Sequence, residues 1–333
     1  MRRKIAVDLG TNNTSIWSNG SVAFTEPTIV VLSASDERIV AIGNEAHEML
    51  GKTPETVISI RPISGGVISD FSIAKAFLKI QFSKLSQSFE LLRPDVMIAV
   101  PSGSTSVERR AALEVALEAG AAHAYIVEAT LAAAIGAGVA VSSPAGNVIL
   151  HMGADVTEAA VISLGGVVAY ESKRVGGNTI NQAIKQHLKN KHGLIIGDAT
   201  AEEIKQKIAT AVVTTDDREL EISGRDLTFG MPRNVVVKTK EIHTAISPIL
   251  ELLSAVVESA LEKTPPELSS DVIDKGIVLT GGGARLSKFD KFLTLTTGIP
   301  SHLAEDPELC AVRGAAVVLE NLNLWKRSII TKS

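Results

Sequence analysis

Short runs of consecutive apolar residues, each closed by a small or polar turn, set the rhythm of this chain. Ile5–Val7, Thr14–Trp17, Thr28–Leu32 and Arg38–Ile42 follow one another with few residues between them, which is the spacing of an antiparallel meander that starts a sheet. Gly43–Met49 reads as a short helix, Val57–Ile68 as an irregular stretch carrying Arg61-Pro62 and Gly65-Gly66, and Ser72–Leu85 has helical apolar spacing. Val96–Val100 is a buried strand that ends in Pro101-Ser102-Gly103. The helix predicted over Ser106–Glu118 has Ser106 as its N-cap, Glu108 in its first turn and Gly120 as its stop. Tyr125–Val127 is a strand, and Ala129–Gly138 is a helix of small residues.

Pro144-Ala145-Gly146 marks a boundary, because the opening pattern then returns. Asn147–Leu150 reads as a strand, His151–Thr157 as a Gly-containing polar turn, and Glu158–Ser163 as a second strand, a weak internal repeat of Ile5–Trp17. Further on, Asn178–Lys191 and Thr200–Ala211 are predicted helices. Glu219–Val237 is a small antiparallel subregion turning at Ser223-Gly224. Lys240–Lys263 is a long helix with Pro248 inside it or near its start. Ile277–Leu279 is a strand followed by Thr280-Gly281-Gly282-Gly283-Ala284, and Asp306–Glu320 is a helix containing Gly314. Leu322–Ser333 has no periodicity.

Composition narrows the class. Hydrophobic residues make up 45% of the 333 positions but aromatics only 4%, so Ala, Val, Ile and Leu must fill the cores. That mix suits parallel strands buried on both faces. A net charge of −4 with no basic block argues against nucleic acid as a partner. The single cysteine, Cys310, excludes an internal disulfide and fits a reducing cytoplasm. The basic Arg2-Arg3-Lys4 runs straight into a strand with no apolar h-region, unlike a signal peptide. No run approaches 18 consecutive apolar residues, so no membrane-spanning helix is expected.

The chemistry concentrates at the first turn. Asp8 ends a buried strand, Gly10 permits a sharp turn, and Thr11, Asn12, Asn13 and Thr14 follow as small polar residues. Such a turn can bring backbone N–H groups against a phosphate, with the carboxylate of Asp8 facing a Mg²⁺ ion or its waters. An ordinary hairpin with an Asn-rich tip is equally compatible with these residues alone. A second such turn at His151–Thr157, facing the first, would close on a nucleotide from both sides.

Three Gly- or Asn-containing turns in this order resemble the actin-like ATPase superfamily, and within it the chain resembles the MreB family of bacterial actins. The matching segments run nearly end to end, among them Asp8-Leu9-Gly10-Thr11, Ile42-Gly43-Asn44-Glu45-Ala46, Ile60-Arg61-Pro62, Val100-Pro101-Ser102-Gly103, Val161–Gly166, Ala201–Lys205, Gly224-Arg225-Asp226-Leu227, Leu279–Ala284 and Ala304–Pro307. The resemblance implies an α/β, actin-like fold: two α/β domains, each with a small subdomain, around a nucleotide cleft. The expected division is residues 1–145, with a small subdomain at about 33–66, and residues 146–333, with one at about 180–243. It further implies that Thr11, Asn12 and Asn13 hold phosphates, with Ala154, Asp155 and Val156 opposite them. Asp8 would order Mg²⁺ through water. Glu202, Glu203, Ile204 and Lys205 would lie along adenosine, and Gly281, Gly282, Gly283 and Ala284 would let the backbone pass close to ATP. On spacing alone, Glu202 and Lys205 are more often a solvated surface ion pair.

The chain departs from the family at the hydrolysis site. Where the family's second phosphate turn reads Asp-Ile-Gly-Gly-Gly-Thr-Thr-Glu, this chain has His151-Met152-Gly153-Ala154-Asp155-Val156-Thr157-Glu158. Cβ atoms crowd a backbone that must approach phosphate, and Asp155 sets a like charge beside it. The family's water-positioning glutamate aligns with Ala129. Glu128, one position earlier, is the only local substitute, and Ala209 stands where the family has glycine. The expectation is a filament protein that organises cell shape and cell-wall synthesis and binds ATP with hydrolysis weak or lost. An active ATPase of the same family, or a specialised actin-like filament for another positioning task, is the competing reading. The resemblance also implies self-assembly, partners among cell-shape and cell-wall synthesis proteins, and a cytoplasmic location at the inner face of the cell membrane. Leu91 and Leu92 match the family's membrane-inserting pair, although two leucines can also cap a local core.

Overall fold

The computed structural model describes residues 2–51, 56–85, 93–213, 215 and 217–331. The opening runs form β1 (Lys4–Leu9), β2 (Asn13–Ser18) and β3 (Ser21–Pro27), an antiparallel meander. β3 alternates exposed and half-buried positions, so no apolar run announces it. After it come β4 (Val30–Ser33), β5 (Ile39–Ile42) and α1 (Gly43–Met49). Val57–Ile68, expected to be irregular, is three short strands: β6 (Val57–Ile60), β7 (Ile63–Ser64) and β8 (Val67–Ile68). Gly65 and Gly66, at φ 58° and 75°, supply the two left-handed positions that a two-residue hairpin needs. Then follow α2 (Phe71–Leu85), β9 (Asp95–Val100), α3 (Ser106–Ala119), β10 (His123–Glu128) and α4 (Ala129–Gly136). Ser106 is the first helical residue of α3 and not its cap. Thr105 caps it, in a reciprocal box with Glu108.

The second half contains β11 (Asn147–Met152), β12 (Thr157–Ser163), β13 (Gly166–Lys173), α5 (Gly177–His192), β14 (Leu194–Ile195) and α6 (Asp198–Ile208). β15 (Glu219–Asp226) runs straight through Ser223-Gly224, where a turn was expected. The reversal comes later, before β16 (Pro232–Lys238), because the Asp226 carboxylate accepts the Thr228 and Phe229 N–H groups and closes the turn there. α7 (Thr239–Glu262) contains Pro248 in its interior. By length and composition this helix could cross a membrane, but Ile242, Ile246, Leu250, Leu253 and Val257 are buried in the core of this half. α8 (Pro266–Lys275), β17 (Ile277–Thr280), α9 (Phe289–Thr297), β18 (Ser301–Leu303), α10 (Cys310–Glu320) and β19 (Ile329–Thr331) complete the chain. The final segment, which lacks periodicity, nevertheless ends in a strand: β19 pairs with β10. Three residues paired along one edge carry too short a pattern to read.

Two large sheets organise the molecule, in the orders β19-β10-β9-β1-β2-β3 and β13-β12-β11-β17-β18. β1 pairs antiparallel with β2 and parallel with β9, just as β11 pairs antiparallel with β12 and parallel with β17. The internal repeat is therefore structural. The first sheet packs α2 and α3 on its outer face, and the second packs α5, α7 and α9. Between the sheets lie α4 and α10, whose alanines meet Ala6, Met97 and Val127 from one sheet and Ile149, Ala160 and Ile162 from the other. The two helices touch backbone to backbone. A Cβ on Gly314 would lie 1.7 Å from the Ala132 carbonyl oxygen, and one on Gly136 would lie 1.9 Å from that of Cys310. Through α10 and β19 the end of the chain returns to the first half. Two small sheets, β5-β4-β6 and β14-β15-β16, stand apart from the large ones.

Candidate functional site

Strand alternation decides which side chains enter the space between the sheets. In β1, Ile5, Val7 and Leu9 belong to the outer core and Ala6 to the inner one, so Asp8 shares the inner face with Ala6. In β11, Val148, Leu150 and Met152 point outward and Ile149 inward, which puts His151 on the inner face. By the same parity Glu158 of β12 and Thr280 of β17 point inward beside it, each directly opposite His151 in the sheet register. Asp8 from one sheet and His151, Glu158 and Thr280 from the other thus line the same space. They stand at the C-terminal ends of the parallel strands β1, β11 and β17, where open α/β sheets bind ligands.

Burial sets the protonation of these groups. It alone raises Asp8 to about 6 and lowers His151 to about 4, so the imidazole is neutral at physiological pH. Burial also pushes Glu158 up to about 7, against hydrogen bonds from the Gly103 N–H and the Ser172 hydroxyl, with the Glu128 charge adding to the rise. Glu128 is raised by burial and opposed by Arg109, whose guanidinium lies 3.5 Å away. Glu128 is the last residue of β10 and stands at the N-cap position of α4 without a capping side-chain bond, so Ala129 opens the helix with its methyl group in the inner core. Thr130 follows, its hydroxyl 2.7 Å from that of Ser102.

The two polar turns meet across the space. Asn12 and Asn178 exchange amide hydrogen bonds at 2.9 and 3.1 Å. The Thr11 hydroxyl accepts from Gly66 N–H at 3.2 Å, while its carbonyl receives Arg61 at 3.5 Å. Asn13 is exposed at the start of β2. On the other turn, Asp155 accepts from Gly65 N–H at 2.9 Å and from the Asn178 side chain at 2.8 Å. Val156 faces Gly66, where an added Cβ would come within 3.2 Å of its methyl group. Ala154 gives its carbonyl to the Asn178 N–H at 2.7 Å, and Gly153 gives its own to Gly177 N–H at 3.1 Å, which docks the start of α5 on this turn.

The glycine turn after β17 is built around the same backbone. Gly281 has φ 83°, and a Cβ on it would sit 2.3 Å from the Met152 oxygen; one on Gly283 would sit 2.6 Å from Met152 Cγ. Gly282 has room, meeting only Glu308 Cβ at 3.9 Å. Ala284 is buried in the outer core. On α6, Lys205 donates to Glu202 at 2.7 Å and to the Gly177 carbonyl at 3.1 Å. Although burial works against it, bonds from Asn181 and Lys205 hold the Glu202 carboxyl below its usual range. Glu203 turns away to Lys207 on the exposed face, and the Ile204 side chain is wholly inside the core. Leu91 and Leu92 lie outside the described residues.

Arg61, Gly65-Gly66 and Glu158 belong in the sequence to an irregular stretch and to the second turn, and neither they nor Asn178 carry a site role there. The readable signal is Ile63-Ser64-Gly65-Gly66-Val67-Ile68, a Gly-Gly turn between two β-branched positions, Ile63 and Val67. A separate open pocket of about 620 Å³ lies against β13, between Gly103, Tyr170, Ser172, Arg174 and Lys263, and not at the phosphate-type turns.

The sequence profile of MreB/Mbl proteins matches residues 2–327. The cell shape-determining protein MreB of Escherichia coli is 42% identical over 328 residues, spanning 96% of this chain and 94% of that protein. The cell shape-determining protein Mbl of Bacillus subtilis is 38% identical over 329 residues, spanning 98% and 99%. MreB5 of Spiroplasma citri bound to AMPPNP superimposes with a TM-score of 0.92 at 32% identity, covering 97% of each chain. The same protein bound to ADP matches equally well. The MamK double helical filament matches with a TM-score of 0.83 at 20% identity over 96% of this chain and 99% of that one, a likeness of fold alone. The α/β fold is therefore actin-like, as the resemblance implied.

Proposed function

The chain belongs to the MreB/Mbl family, and from that membership we propose that it is an actin-like filament protein that helps organise cell shape and cell-wall synthesis. It assembles with itself on the cytoplasmic face of the cell membrane and takes ATP with Mg²⁺ between its two sheets, hydrolysing it slowly or not at all. Relatives solved with AMPPNP and ADP support the nucleotide. So does the chemistry of the site. Asp8 is a buried carboxyl whose ionisation burial alone opposes, and a hydrated divalent cation is the kind of group that restores it. Asn12 pairs with Asn178, whose amide also reaches Asp155; Glu202 and Lys205 stand beside the start of α5; and Gly282 leaves open space at the third turn. Bound Mg²⁺ would supply charge neutralisation at the phosphates.

The observation that carries the hydrolysis reading is Ala129. Its side chain is a methyl group buried in the inner core at the start of α4. It has no atom to hold a water in line, and losing such a group commonly costs about 10²–10⁴-fold in rate. One observation favours the active-ATPase alternative. Glu158 is buried in the same space with its carboxyl at about 7, the range in which a carboxyl exchanges protons near neutrality.

Phosphate release and electron microscopy of the purified protein with ATP, with AMPPNP and without nucleotide separate these readings. Filaments with background phosphate release are the expected result. Mg²⁺-dependent turnover that Glu158→Gln abolishes would replace the scaffold reading with the ATPase one.

A further inference from the structure

At the polar turns, a carboxylate that belongs to the protein bridges the gap between the two halves. A two-residue hairpin with both central residues at positive φ turns its central N–H groups outward, away from its own strands. Gly65 and Gly66 between β7 and β8 form such a tip. Two adjacent outward N–H groups make an anion-binding concavity. Here Gly66 N–H goes to the Thr11 hydroxyl on the same half, but Gly65 N–H goes across the gap to Asp155 Oδ2 at 2.9 Å.

The rest of the arrangement supports a closing role for Asp155. Its second oxygen takes the Asn178 amide at 2.8 Å, and that amide is the group that pairs with Asn12 of the first half. Asp155 therefore joins the Gly65 and Asn12–Asn178 contacts across the gap into one network. Arg61, on the first half, is held below its usual range by burial, opposed by the charges of Asp198 and Asp155, and its hydrogen bond goes to the Thr11 carbonyl. Beside it Arg174 reaches from the second half to Glu108 of the first at 3.7 Å, and its guanidinium lies against Gly65. The like charge that the sequence placed beside phosphate is thus already engaged, by donors on both sides of the gap.

We propose that Asp155 is a resident anion that holds the cleft closed without nucleotide, so that closure in this chain is built into the fold. Charge-assisted hydrogen bonds of this kind are stronger than neutral ones, and a negative charge fixed at this point disfavours a further phosphate arriving beside it. A glycine at the same position offers neither the acceptor nor the repulsion.

The test compares wild type with Asp155→Gly and with Asn178→Ala, which removes the second donor without touching the carboxylate. Hydrogen exchange of the Gly65 and Gly66 amides and the radius of gyration from small-angle scattering are measured without nucleotide and with saturating Mg²⁺-AMPPNP. Circular dichroism confirms that each variant is folded. The expected result is protected amides and a compact form in nucleotide-free wild type. In both variants exchange rises at least tenfold and the radius of gyration increases. Wild-type amides that are protected only when nucleotide is added would overturn the proposal, as would Asp155→Gly remaining as closed as wild type. Opening of Asp155→Gly that Mg²⁺-AMPPNP fails to reverse would uphold the resident anion and instead count against the nucleotide reading.

Discussion

The imidazole of His151 and the hydroxyl of Thr280 meet at 3.2 Å across neighbouring strands, and the same hydroxyl donates to the Leu150 carbonyl at 3.2 Å. With its one proton spent on Leu150, the Thr280 oxygen accepts from His151. The imidazole proton therefore sits on Nδ1, which leaves Nε2 as the ring's acceptor. At the end of β11 this chain holds a neutral imidazole, kept neutral by burial.

That neutrality is testable through pH. A histidine at about 4 in the folded chain, against 6.5 ordinarily, favours the neutral form. Its stabilisation is complete above pH 6.5 and is lost as pH falls towards 4. Wild type should therefore lose up to about 2 kcal/mol relative to His151→Gln between pH 7.5 and pH 5. Asp8 and Glu158 shift in the opposite sense but are common to both proteins, so the difference isolates His151. Parallel urea-unfolding curves for the two proteins at both pH values would rule this out.

Asp8 carries the opposite sign. Its carboxyl rises from 3.8 to about 6, so its favourable contribution exists in the protonated state and disappears as pH climbs through 6. Asp8→Asn should stabilise the nucleotide-free protein at pH 7.5 by up to about 3 kcal/mol and weaken Mg²⁺-dependent nucleotide binding. Thermal unfolding and binding titrations measure the two effects, and a variant that is less stable than wild type would remove Asp8 from this role.

The glycine turn separates packing from ligand access. Gly281→Ala sets a Cβ against the Met152 carbonyl at a left-handed φ and should destabilise by about 2 kcal/mol or more. Gly282→Ala meets only open space and Glu308, so stability should change by under about 1 kcal/mol while nucleotide affinity falls. Denaturant unfolding paired with nucleotide titration distinguishes them. Equal stability losses in both variants would mean that Gly282 serves the fold alone.

The membrane prediction stands on the resemblance at Leu91 and Leu92. Leu91→Ser with Leu92→Ser should abolish pelleting with anionic liposomes while filaments still form in electron micrographs. Two leucines bind weakly alone, and a filament multiplies them. Pelleting that survives the double substitution would move the contact elsewhere.

Local pattern determined a large part of this protein. β1, β9, β11 and β17 are apolar runs because their neighbours cover both faces, and such runs are visible in any window that contains them. The repeat of strand, polar turn and strand at Ile5 and Asn147 placed the two phosphate-type turns, and the order of three turns led to the family. Tertiary structure decided what local pattern cannot carry. β3 and β19 take their partners from the sheet, and a half-exposed or three-residue segment has too little pattern to show. The return of α10 onto α4 depends on two glycines meeting carbonyls far away in sequence. Asp155 is the clearest case. Sequence placed a charge beside a phosphate turn, and Coulomb's law then made it a repulsive one. The fold set Gly65 N–H and the Asn178 amide against it, and a carboxylate between two donors is an attractive centre for them. The sign of an electrostatic interaction depends on every neighbour within a few ångströms, and only folding chooses those neighbours.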